Sequence, residues 1–235
     1  MVHVVGVQVF LDGEPLPSAA PEAALSVAEA IAIAASAAAT RGRVVIEVHA
    51  DGELLDEPRL EQTRASSAHD APLVRELRLT SADPYLLVQA TLDDAATAVQ
   101  QLGLDQQRAA KLVHQDKLQD AVAQLQGVFQ TWQTIKDVTE RASSLLGEDL
   151  LELAVESSAG PLQGQALSAD LLAKLRAVKV ALSREDWSRF ADLLGHDLVA
   201  ASQRWHQLLQ GLARHVGELR ATKREAPHSV GGAPA

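Results

Sequence analysis

Apolar residues alternate with small or polar ones at the start of the chain, where Gly6 and Gln8 separate Val5, Val7 and Val9. This period of two predicts a strand; Asp12-Gly13 supplies a hairpin turn, and the apolar pattern resumes at Leu16. The period then changes. Ser26 and Glu29 have the spacing of a capping box, alanine-rich helical sequence runs on to Arg41, and Gly42 stands where a helix-ending glycine belongs. Val44-Val45-Ile46-Glu47-Val48, a second Asp-Gly pair at Asp51-Gly52, and Leu54-Leu55 predict another hairpin. The polar stretch 57–72, with Ser66-Ser67, reads as a mobile loop, and Val74, Leu77 and Leu79 predict a last strand.

Two of these segments match each other. Val7-x-Val9-x-x-Asp12-Gly13-Glu14-x-Leu16 aligns with Ile46-x-Val48-x-x-Asp51-Gly52-Glu53-x-Leu55 at a fixed offset of 39 residues. Shared turn chemistry and duplication both account for the match. The order hairpin, helix, hairpin, irregular segment, strand resembles the β-grasp, or ubiquitin-like, fold, in which one helix packs across a mixed sheet. The resemblance implies an N-terminal domain over residues 1–82. The chain continues from this unit as helix, with no di-glycine tail, so conjugation chemistry is not implied.

From Asp83-Pro84 onward the apolar period is helical, with Asp83 as N-cap and Pro84 at the first helical position. One stripe runs Leu87, Ala90, Ala95, Ala98, Val99 and Leu102 and is interrupted at Gly103. A second takes in Leu118, Val122, Leu125, Phe129, Trp132, Ile135, Val138, Ala142 and Leu145 and ends at Gly147. A short helix is expected over 148–156 and a linker over 157–166. Ser168 is expected to cap the next helix, and Asp186 the last, whose stripe includes Trp187, Phe190, Leu194, Leu198, Trp205, Leu209, Leu212, Val216 and Leu219. The fold class is thus α+β: the β-grasp-like domain, an antiparallel helical bundle over 83–224, and a disordered tail over 225–235 rich in Pro, Gly and Ala.

Charge narrows the partner class. The net charge is −10, and residues 1–80 hold 12 acidic and 6 basic side chains, so most of the excess lies in the smaller domain. An acidic chain argues against nucleic acid and anionic membrane surfaces as partners. The absence of cysteine removes disulfides, thiolate metal sites and a cysteine nucleophile. The N-terminus lacks a basic region and a cleavage site, and Glu29 and Ser36 interrupt the alanine-rich helix, so a cytoplasmic protein without a membrane span is expected.

Candidate chemistry is sparse. No phosphate-binding glycine loop and no G-x-S-x-G motif is present, and no cofactor is expected. Asp192 and His196, four apart on one helix face, and neighbouring Asp197 are the nearest approach to a metal or acid–base group. With no second ligand cluster of matching spacing they read as surface hydrogen-bonding groups, Asp192 accepting from a neighbouring element. Phe129, Trp132, Trp187 and Phe190 read as bundle core. Trp205, flanked by Arg204 and His206, reads as a partner-facing residue together with Asp192 and His196.

The run from Ser183 through Asp186-Trp187, Phe190-Ala191-Asp192-Leu193-Leu194 to Asp197-Leu198 resembles a segment of poorly characterised bacterial proteins, some encoded among flagellar genes. Their strand-rich N-terminal unit followed by helices is similar too; Gly195-His196-Asp197 departs from their acidic-Tyr-Glu ending. The resemblance carries over no catalytic residue. It implies a non-enzymatic protein that binds another protein, as adaptor, scaffold or export chaperone near the flagellum. Two other classes stay open: an enzyme with a carboxylate–histidine site between the domains, and a structural homo-oligomer.

Overall fold

Both Asp-Gly pairs turn the chain as their chemistry predicts. Asp12 and Asp51 adopt φ of 52° and 48°, and Gly13 and Gly52 adopt 83° and 88°. Positive φ at both central positions suits a two-residue hairpin between twisted strands. The computed structural model describes residues 7–16, 26–56, 58–60, 74–157 and 160–225. Several expectations lie outside them: the first strand's start at Val5, most of the 57–72 loop, residues 158 and 159 of the linker, and the tail from 226.

The fold is mixed α+β, and the chain divides into two compact units, 1–84 and 85–235. The first holds β1 (Gln8–Leu11), β2 (Glu14–Pro15), α1 (Val27–Thr40), β3 (Val44–Ala50), β4 (Glu53–Leu54) and β5 (Glu76–Ala82). The sheet order is β2-β1-β5-β3-β4. At its centre β1 runs parallel to β5, with Leu11 opposite Leu79, while β3 runs antiparallel to β5, with a bulge between Val45 and Glu47. The capping box starts α1: Ser26 Oγ accepts from the Glu29 amide at 3.2 Å, and the Glu29 carboxylate accepts from the Ser26 amide at 2.8 Å. The helix buries Val27, Ala30, Ala34 and Ala38 in one core with Leu11, Val48, Leu77 and Leu79.

The turn aspartates also tie down the central strand. Asp12 accepts from the Ser81 amide at 2.7 Å and the Ser81 hydroxyl at 2.6 Å. Asp51 accepts from the Arg75 and Glu76 amides at 3.0 and 2.9 Å. Because β1 and β3 approach β5 in opposite senses, the two turns fall at its opposite ends.

The second unit contains α2 (Pro84–His114), α3 (Leu118–Leu146), a small hairpin of β6 (Ala154–Val155) and β7 (Leu162–Gln163), α4 (Gly164–Ser183), α5 (Trp187–Asp192), a π-helical segment (Leu193–Leu198) and α6 (Val199–Glu225). Four expectations are corrected. Helix α2 continues through Gly103, because burial of Leu102, Gln106 and Ala109 offsets a glycine cost of about 1 kcal/mol. Residues 148–156 end in β6 instead of forming a helix. Helix α4 starts at Gly164, four residues before Ser168, whose hydroxyl bonds the Gly164 carbonyl inside the first turn. An added Cβ at Gly164 would lie 2.8 Å from the Leu151 Cα, so the chain enters α4 where only glycine fits. Lastly, the helix capped by Asp186 passes through the wider π turn before α6. Among the described residues no helix is long and apolar enough to cross a membrane.

Candidate functional site

Helices α2 and α6 run antiparallel, joined along their length by side-chain contacts. Lys223 lies 4.9 Å from the Tyr85 ring centre, His206 Nδ1 is 2.9 Å from the Ala96 carbonyl oxygen, and Ser202 Oγ donates to Gln106 Oε1 at 3.0 Å. A carbonyl oxygen only accepts, so His206 Nδ1 carries the proton. Beside the last two ties lies a groove of about 340 Å³ lined by buried Val99 and Val199 and by exposed Leu104, Gln100, Gln107 and Gln203. The Ser202 hydroxyl and His206 Nδ1 are both engaged in bonds that hold the helices together, and the glutamine amides offer neutral donors and acceptors.

The sequence-predicted site residues do not converge there. Trp205, expected to face a partner, is 4% exposed and meets Trp132 edge-on, with ring centres 5.9 Å apart. The reason is the breadth of the α6 buried face, which takes in Ala201, Ser202, Trp205, Leu208, Leu209 and Leu212. Arg204 and His206 flank Trp205 in sequence, but each lies about 100° away around the helix. Asp192 and His196 are exposed, and among the described residues neither has a hydrogen-bond or ion-pair partner, so the bond expected at Asp192 is not formed. The π-helical segment begins directly after Asp192, so the α-helical register that made them a face-sharing pair does not continue to His196. Asp197 instead meets Arg189 at 3.5 Å. Among the described residues no group of three or more His, Asp or Glu could hold a metal ion.

The aromatic expectations divide. Trp132 and Phe190 are buried, Trp187 is half-buried against Phe190, and Phe129 is exposed. Helix α3 explains the last. Its buried residues are Ala121, Leu125, Val128, Trp132, Ile135, Thr139 and Ala142, at alternating spacings of four and three. That is a narrow seam, and Val122 and Phe129, seven apart, lie beside it with 36% and 40% of their surface exposed.

In the N-terminal unit the most connected polar group is Asp12 with Ser81 and Arg43. The Ser81 hydroxyl donates to Asp12 and accepts from Arg43 Nε at 2.7 Å, while a second Arg43 nitrogen donates to the Ser81 carbonyl. Hydrogen bonds from the Ser81 side chain and amide, with Arg43 and Arg41 nearby, hold the Asp12 carboxyl below its ordinary value. The Ser81 amide and hydroxyl and two Arg43 nitrogens are all committed to closing the sheet. Sequence reasoning found the turn at Asp12 but not its bond to Ser81, 69 residues away. Comparison with protein-family models, with curated proteins and with solved structures gives no match.

Proposed function

We propose that this is a non-enzymatic protein–protein interaction protein, acting as an adaptor, scaffold or export-chaperone-like factor, with a β-grasp module at its N-terminus. The module reading is supported by the sheet order, by the central parallel pair β1/β5, and by helix α1 placed between two hairpins. Flagellar association and a cytoplasmic location belong to the same proposal, the former supported by the 183–198 segment.

The observation that carries the binding reading is the outward side of α3. The buried seam and the partly buried Leu118, Val138 and Leu146 hold this helix, and the surface around Val122 and Phe129 is left exposed to meet another protein. On that surface Val122 and Phe129 occupy the same heptad position. Burying such side chains stabilises a complex by about 1.5–3 kcal/mol each before the costs of association. An aromatic anchor with an aliphatic neighbour one heptad away is the pattern by which helices are recognised in grooves and bundles.

The test compares the full chain with a Val122→Glu/Phe129→Glu variant as bait in cells of the source organism, followed by reconstitution with the purified prey. The reading predicts a stoichiometric partner retained by the wild type and lost by the variant, with unchanged melting. Retention by both would place the interface elsewhere. Self-association of the wild type, abolished in the variant, would favour the structural-oligomer class.

A further inference from the structure

Helix α4 carries two apolar faces. One, formed by Leu167, Leu171, Val178 and Ala181, is buried in the helical core. The other, formed by Ala169, Leu172, Ala173 and Val180, recurs at helical spacing and is exposed, Leu172 to 48% and Val180 to 47%. Packing into a bundle requires only one apolar face, so folding does not account for the second. The small side chains of Ala169 and Ala173 beside Leu172 leave a shallow channel for the ridge of another helix.

Charge selects the kind of helix. Arg176 and Lys179 lie on this same face between Leu172 and Val180, and both are exposed. The residues three and four away from Arg176 are Leu172, Ala173, Lys179 and Val180; those from Lys179 are Leu175, Arg176, Leu182 and Ser183. No carboxylate on α4 is therefore placed to neutralise either cation. The helix's one carboxylate, Asp170, is held by Lys174 and, at 3.8 Å, by Arg204 of α6. Among the described residues Arg176 and Lys179 make no ion pair. On a chain of net charge −10, these two cations without an ion-pair partner form a local basic site that attracts an acidic partner. A second copy is disfavoured by the same reasoning: two-fold pairing of α4 with Leu172 against Val180 would set Arg176 against its own counterpart.

We propose that the outward face of α4 binds an acidic amphipathic helix of a partner protein, the aliphatic side chains packing on Leu172 and Val180 and the flanking carboxylates pairing with Arg176 and Lys179. The proposal rests on reading the chain as an interaction protein and adds a surface separate from that on α3.

The test pans the full chain against a displayed library of amphipathic helices. Their apolar face is fixed as Leu and Ala, and their flanking positions sample Asp, Glu, Lys, Arg and Gln equally. Enriched helices should carry Asp or Glu at the flanks. A synthetic peptide of the leading sequence should lose at least about tenfold in affinity against Arg176→Glu/Lys179→Glu, and lose affinity as salt rises from about 0.05 to about 0.5 M. Arg176→Lys/Lys179→Arg should retain binding, and all variants should melt with the wild type. Failure to enrich any helix, enrichment without acidic bias, or affinity unchanged by the charge reversal overturns the proposal. Dimerisation of the full chain that Leu172→Glu abolishes overturns it in favour of a second copy. The Val122→Glu/Phe129→Glu variant leaves α4 intact and should bind the peptide normally, which separates failure of this inference from failure of the α3 reading.

Discussion

Helix α1 meets its sheet mainly through Ala30, Ala34 and Ala38, with Val27 and Ile31 its larger contributors, whereas α6 meets its neighbours through Trp205, Leu208, Leu209 and Leu212. The N-terminal unit thus buries small side chains from its helix, and each contributes little transfer free energy. Directional ties supplement that thin core: Asp12 and Asp51 hold the two ends of β5, and Arg43 braces Ser81. The helical unit draws instead on apolar volume, with Trp132 and Trp205 packed edge to face and Phe190 fully buried. Backbone direction in the first unit is fixed by hydrogen bonds; helix position in the second is fixed by shape.

Trp205→Ala should lower stability by about 3–5 kcal/mol in denaturant unfolding, the range for emptying a buried aromatic site. A loss under about 1 kcal/mol would mean that Trp205 is not a core residue and would return it to the partner-facing surface. Next is Ala34→Leu in α1. Ala34 is fully buried, so the added carbons must push the helix off the sheet, at a cost of about 1–3 kcal/mol. Tolerance of leucine would show that helix and sheet are loosely apposed.

Asp12→Ala should cost about 1–3 kcal/mol, because the buried Ser81 side chain and amide lose their acceptor. Hydrogen exchange at the Ser81 amide should accelerate, while protection of the Glu76 amide at the Asp51 end is retained. The bond also predicts a pH dependence. The folded Asp12 carboxyl titrates below its unfolded value, so its contribution is complete above the ordinary carboxyl range and is lost as pH falls through the lowered folded value. Unfolding measured at about pH 7 and about pH 3 should show a smaller acid-side loss in Asp12→Asn than in the wild type. The smallest effect belongs to Phe129→Ser, which should change stability by no more than about 0.5 kcal/mol if the ring is the surface group that its exposure indicates.

The features legible in the sequence were those set by local chemistry. Asp-Gly pairs need positive φ, the Ser26–Glu29 box satisfies amides three residues apart, and Gly42 and Gly147 end helices in the left-handed region. Features set by packing were less legible. In α3 the expected stripe included Val122 and Phe129, but the helix faces inward through Ala121 and Val128, about 100° away. Both choices share the residues Leu125 and Trp132, so periodicity could not separate them. The run from Leu150 to Val155 is apolar enough for a short helix, yet Leu151, Leu153 and Val155 also alternate as a strand does, and pairing with Leu162 decided for β6. The π turn after Asp192 has no local signature in composition. The candidate site was legible only in part: Asp192 and His196 lie at the surface as expected, Trp205 does not, and Leu172 and Val180 went unremarked because they lie off the buried face that helical periodicity picks out.

The proposed partner binds the outer side of the helical unit. A photo-crosslinking amino acid placed at position 129, and at exposed Asp137 on the same helix as control, tests that contact most directly in cells of the source organism. A discrete adduct of a second protein is expected at 129 and none at 137. Adducts of equal yield at both positions, or none at 129 in a protein that melts normally, would contradict the proposal.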